Sequence, residues 1–125
     1  MVRSYLGRAE VFVAEEGEGV LGEYVLLPTR AATAEIVNVA VRAQAQGRGV
    51  GRALVEHAIA TARDAGYRTL EIGTGNAGIG QLALYQRCGF RIVGVDPDFF
   101  GRHYPEPIEE NGIPCRDMVR LRLEL

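Results

Sequence analysis

The sequence is poor in the residues that build metal and redox centres. Its 125 residues include two cysteines, Cys88 and Cys115, and two histidines, His57 and His103. None of them shares the short spacing of a zinc site, so no metal is expected. Two isolated thiols fit a reducing compartment better than a disulfide scaffold. A basic excess is also missing: 14 basic side chains face 16 acidic ones, for a net charge of −2 and a pI near 5.7. Nucleic-acid binders draw much of their affinity from phosphate contacts, so no nucleic-acid partner is expected. No apolar run approaches 18 residues, and the N-terminal Met1-Val-Arg-Ser-Tyr has no apolar core of a signal peptide. The expectation is therefore a cytoplasmic protein with no membrane partner. Internal repeats, low-complexity tracts and linkers are absent as well, and 1–125 reads as a single domain.

What is present is the composition of an ordinary globular protein, 47% hydrophobic and 24% charged. At this size folding buries roughly two-thirds of the unfolded chain's surface, enough for a core without staples.

The hydrophobic period sets the element order. Ala9 to Ala14 is short, β-branched and aromatic, a strand. Glu15 to Gly19 is a turn, and Val20 to Leu27 is the hairpin partner, expected to stop at Pro28. Ala34 to Val41 is apolar on both sides at several positions, which suits a central strand. From Val50 to Ala65 the period becomes helical, with Val50, Leu54, Ala58, Ile59 and Ala62 in one stripe and Gly66 as the stop. Thr69 to Gly73 is a strand, Gln81 to Arg87 a helix ended by Gly89, and Phe90 to Val95 a strand. Residues 96–114 read as a long irregular segment. Asp117 to Leu125 alternates cleanly, placing Val119, Leu121, Leu123 and Leu125 on one face. Hairpins first and a β-α-β crossover later give an α/β (α+β) fold with a mixed sheet and flanking helices.

The most informative segment is Gln46-Gly47-Arg48-Gly49-Val50-Gly51, between the third strand and the long helix. Glycines allow close backbone approach to a ligand. The first N–H groups of a helix have no internal partner and carry partial positive charge. Together these make an anion site fit for a pyrophosphate, with Arg42, Arg48 and Arg52 available for charge-assisted contacts. The residues alone leave a second reading, a glycine-rich helix start without a ligand. A P-loop fails because no lysine stands in the turn, and the G-x-G-x-x-G dinucleotide fingerprint fails at Leu54 and Arg52.

Gln46-x-x-Gly49-x-Gly51 resembles the Q/R-x-x-G-x-G/A signature of the GNAT acetyltransferases. Leu84-Tyr85-Gln86-Arg87-Cys88-Gly89-Phe90 resembles that family's L-Y-x-x-x-G-F signature, and Asn76 its asparagine upstream. The match spans about residues 34–95, and the tail resembles that of a short bacterial subgroup. The resemblance implies a mostly antiparallel sheet with splayed central strands. The family's usual opening strand and two helices are expected to be missing, since only about eight residues precede Ala9.

The resemblance also implies the chemistry: an acetyl group moves from acetyl-CoA to a primary amine by direct attack. Gln46, Gly47, Arg48, Gly49, Val50, Gly51 and Arg52 would bind the coenzyme pyrophosphate. Val39, Ala40 and Val41 would pair with the pantetheine arm, and an N–H near Val39 would polarise the thioester. Asn76 would bond the coenzyme. Tyr85 would be the general acid and, as a cofactor-side residue, would meet the leaving sulfur. Glu35 would be the general base, with Glu71 a weaker candidate. The alternative is a non-catalytic module that binds CoA or acyl-CoA. His57 reads as a structural helix residue and Cys88 as buried filler. The acidic and aromatic residues Asp98, Phe99, Phe100, His103, Tyr104 and Glu106 are candidates for an acceptor pocket, because carboxylates and aromatic faces attract cations. The amine itself, small-molecule or peptide, is not identified. An open sheet edge gives the expectation of a homodimer.

Overall fold

In the computed structural model the described residues are 2–5, 10–17 and 19–125, with side chains described from Glu10 onward. Ala9, the expected start of the first strand, and Glu18 of the following turn lie outside them. The chain divides into two compact units, 1–71 with 124–125, and 72–123.

The first unit is an antiparallel meander of β1 (Val2–Tyr5), β2 (Glu10–Glu16), β3 (Gly19–Arg30) and β4 (Thr33–Val41), with α1 (Val50–Asp64) packed on β3 and β4. β1 is an element the sequence reading did not include. β3 also runs past its expected end. Pro28 stays in register opposite Ala34, and the ladder is irregular only beyond it, between Pro28 and Arg30. A missing N–H is tolerated where the ladder is already breaking.

Register explains which residues face α1. Phe12 pairs with Tyr24, Leu26 with Ile36, Tyr24 with Val39 and Gly22 with Val41, so these share a face. In β4 the buried residues are Thr33, Ala34 and Ile36; the apolar Ala34 and Ile36 are followed by Val39 and Val41, which pack on the core, a change of parity. A bulge accounts for it: Leu26 pairs with Ile36 and Val25 with Asn38, leaving Val37 unpaired and 44% exposed. One extra residue shifts the alternation by one.

The stripe of α1 that is buried is Val50, Leu54, Val55, Ala58 and Ala62. Val55 takes the place expected of Ile59, which is only half-buried. Leu54 is fully buried, so Leu54→Ala removes transfer energy and leaves a cavity, at a cost of about 2–5 kcal/mol. His57 also turns inward, as expected of a structural residue. Its Nδ1 is hydrogen-bonded to the Tyr24 hydroxyl at 2.7 Å and its ring lies against Phe12. Burial lowers its pKa. The helix ends on Gly66 at φ +89°, with the Gly66 N–H donating to Arg63 O and the Tyr67 N–H to Ala62 O.

β5 (Thr69–Gly75) carries the chain from the first unit to the second. There, α2 (Ile79–Arg87) leads to β6 (Arg91–Asp96), and the strands run in the order β5, β9 (Met118–Glu124), β6. β6 and β9 are antiparallel. The segment 96–114, read as irregular, contains α3 (Phe99–His103) and a hairpin of β7 (Ile108–Glu110) and β8 (Ile113–Cys115). No helix among the described residues is long and apolar enough to cross a membrane.

Candidate active site

The glycine turn lies at the start of α1, after a 3₁₀ turn over Ala43–Ala45. Gly47 has φ +79° and Gly49, the N-cap of α1, φ +80°. A Cβ at either position would meet nothing within 4 Å, so glycine is required by backbone conformation and not by crowding. The left-handed region costs other residues roughly 1–2 kcal/mol. A glycine N-cap brings no side-chain oxygen, and the first turn has no acidic residue. The leading N–H groups of α1 therefore have no capping side chain, and residues 46–49 are exposed. That is the arrangement an external anion completes. Two expected guanidinium partners are engaged: Arg48 Nη2 donates to Glu16 Oε2 at 2.6 Å and Arg52 Nε to Glu56 Oε1 at 3.1 Å. Both pairs are exposed to solvent, where an ion pair is weakly held.

Ala45, Val50 and Leu54 form the cluster that fixes this turn, with Val39 and Val41 packed against it. The same packing ties the start of α1 to the end of β4, through Val39 and Val41. Glu35 stands on β4 opposite Leu27, half-buried, on the face away from Ala34 and Ile36. Glu71 is held by Arg30, whose two terminal nitrogens donate to its carboxylate at 3.0 and 2.8 Å. A carboxylate clamped this way is a poor proton acceptor.

Tyr85 is in the second unit, on α2. The signature around it has a plain physical reading. Gly89, at φ +104°, ends the helix; its N–H donates to Gln86 O and the Phe90 N–H to Tyr85 O, both 3.0 Å. The Phe90 ring packs on Tyr85, centroids 6.4 Å apart. Glycine and phenylalanine thus build a C-terminal cap whose apolar contact is Tyr85 itself. Tyr85 is 5% exposed, and burial pushes its hydroxyl up to about 12. Among the described residues no group donates to or accepts from this hydroxyl.

Asn76 is spent within the second unit. Its Oδ1 accepts from the Arg116 and Asp117 N–H groups at 2.8 and 2.9 Å, and its Nδ2 donates to Pro114 O at 3.1 Å. It locks the end of β5 to the β8–β9 connection, which the sequence did not reveal.

The tail forms a half-open cavity of about 490 Å³ whose lining includes Asp98, Phe100, Tyr104, Glu106, Glu109 and Arg116. Phe99 and His103 are one turn apart on another side of α3, rings 4.5 Å apart, with Arg120 over Phe99, and they do not line it.

Residues 7–92 match the model of the acetyltransferase (GNAT) domain. The chain belongs to the GNAT acetyltransferase family. It is 56% identical over all 125 residues to the uncharacterized N-acetyltransferase YvbK of Bacillus subtilis, covering 81% of that protein. A crystal structure of a Bacillus subtilis acetyltransferase in complex with CoA superposes with a TM-score of 0.92 at 57% identity, over 94% of this chain and 78% of that one. A GNAT acetyltransferase of Elizabethkingia anophelis with acetyl-CoA bound gives 0.91 at 45%, over 94% and 77%. The protein is an acetyltransferase with the GNAT-like α/β fold, a mixed and mostly antiparallel sheet with flanking helices.

Within the GNAT assignment the structure sorts the expected residues by unit. Glu35, Val39, Ala40, Val41 and 46–52 are in the first, Asn76 and Tyr85 in the second. Cys88, expected to be buried filler, is half-buried, and Cys115 is the buried thiol. Sequence reasoning missed the Arg30–Glu71 clamp and the anchoring role of Asn76. Both are long-range pairs with no local pattern to betray them.

Proposed function

We propose that this GNAT protein transfers the acetyl group of acetyl-CoA to a primary amine by direct attack, as a cytoplasmic homodimer. The uncapped, exposed, glycine-framed N-terminus of α1 is the observation that carries the reading. The N–H groups of 46–52 hold the pyrophosphate, and Arg48 and Arg52 swing from their exposed carboxylates to phosphate oxygens. Backbone groups of Val39, Ala40 and Val41 take the pantetheine arm. Asn76 acts behind the site, as a brace. The coenzyme supplies an acetyl group activated as a thioester.

Glu35 takes the proton that an alkylammonium, with a pKa near 10.4, must lose before it attacks. Tyr85 offers its hydroxyl proton to the departing sulfur. No covalent enzyme intermediate is needed, so the thiols of Cys88 and Cys115 have no part.

Titration with acetyl-CoA and a thiol-release assay over a panel of amines test this reading. Saturable binding with thiol release that follows one class of amine is expected. Absence of binding at millimolar coenzyme removes the anchor, and binding without release for any amine removes the transferase step. Sedimentation at micromolar concentration gives a dimer if the assembly is right and only a monomer if it is not.

A further inference from the structure

Resting on the transferase reading above, we infer that the acceptor amine carries a second cationic group, and that the cavity between α3 and the β7–β8 hairpin holds it. The wall of that cavity is aromatic. Phe100 and Tyr104 stand one helical turn apart, their rings stacked at 5.5 Å and 27°. Ring faces attract cations, and α3 shows the effect on another side, where the Arg120 guanidinium sits 5.8 Å from the Phe99 centroid.

The charge of the lining points the same way. Asp98, Glu106 and Glu109 face a single guanidinium, Arg116. Arg102 and Arg120 are committed to Asp96. None of the three lining carboxylates has an ion pair or hydrogen bond among the described residues, and against the one guanidinium of Arg116 the lining keeps an excess of negative charge. Exposed carboxylates alone would be ordinary solvated surface. Here they rim a concave volume of about 490 Å³, the lower part of the range for small-molecule sites.

The cavity is also pre-built. Asn76 clamps the backbone of Pro114, Arg116 and Asp117, and Asn111 Nδ2 donates to Ala77 O at 2.8 Å, pinning the hairpin turn. At the end of β5, Gly75 is packed so tightly that a Cβ would strike Cys115 Sγ and come within 3.3 Å of Phe100. A ligand therefore meets walls already in place, which lowers the ordering cost of binding. An acceptor bearing a carboxylate meets three like charges.

The test compares 1,4-diaminobutane, 4-amino-1-butanol and 4-aminobutanoate as acceptors with the full chain. Thiol release should favour the diamine over the amino alcohol by about tenfold in kcat/KM, mostly through KM, and disfavour the amino acid further. The advantage should shrink with salt. In Glu106→Gln/Glu109→Gln, on the exposed rim, the diamine KM should rise toward that of the amino alcohol. Equal kcat/KM for the three acceptors, or a preference that survives in the double variant, overturns the inference.

A direct measurement separates this inference from the reading it rests on. Without coenzyme, 1,4-diaminobutane should shift the backbone amide resonances of Phe100, Gly101 and Tyr104. If they shift while no amine releases thiol, the cavity assignment stands and the transferase reading falls. If thiol release is normal and these amides are silent, the cavity assignment falls alone.

Discussion

Tyr85 poses the sharpest question at the level of single residues. Its hydroxyl, pushed up to about 12 by burial, is a far weaker acid than the thiol it would protonate, whose pKa is about 8.5. Full transfer would be uphill by about 5 kcal/mol before the sulfur leaves. The phenol is therefore best suited to donating a hydrogen bond to the developing thiolate and passing its proton late. Tyr85→Phe should lower kcat by about 10–100-fold and leave the acetyl-CoA dissociation constant within twofold. An unchanged kcat removes Tyr85 from the chemistry. The same burial has a sign for stability. Tyr24 is also raised to about 12. Below pH 10 both phenols are protonated whether folded or not. Between pH 10 and 12 the unfolded chain loses protons that the folded chain keeps, so stability falls as pH rises through that window. Each tyrosine accounts for up to about 2.7 kcal/mol of the loss. Urea melts at pH 9 and pH 11 read it, and Tyr85→Phe should shallow the decline. A flat dependence would show that neither phenol is perturbed.

At the level of elements, the start of α1 makes the most direct prediction. Arg48 is held by Glu16, an exposed pair worth at most about 1 kcal/mol. Glu16→Gln frees the guanidinium and should tighten acetyl-CoA binding by up to about fivefold, while Arg48→Gln should weaken it. No change in either variant would mean that Arg48 does not reach phosphate. This turn was legible in the sequence because its signal is local: Gly47 and Gly49 are conformational requirements written at their own positions. So was the Tyr85-x-x-x-Gly89-Phe90 cap. The change of side-chain parity at Val37 was not, since a bulge is a property of the pair β3–β4 and not of either strand. The hairpin β7–β8 was missed although it carried a signal. Asn111 and Gly112, at φ +56° and +71°, form the two-residue Asn-Gly turn between Glu110 and Ile113. The prolines at 105, 107 and 114 masked it. α3 has five residues, too few for a period to show.

The whole chain has no lysine; all fourteen basic residues are arginine. Acetyl groups therefore have no ε-amine of the enzyme to reach, and thiol release reports turnover of the added acceptor. Coenzyme binding should also appear as global stability, because a ligand that binds only the folded chain stabilises it by mass action. At 100 times the dissociation constant the gain is about 2.7 kcal/mol. For a chain of this length that is roughly a 10 °C rise in Tm. The difference between liganded and free Tm cancels any change in intrinsic stability, so it isolates the cradle from the chemistry. Tyr85→Phe should keep the full rise. Gly49→Val, which forces a β-branched residue to φ +80° at the N-cap, should lose most of it. If Gly49→Val keeps the rise, the phosphates are held elsewhere and the helix start is only a fold element.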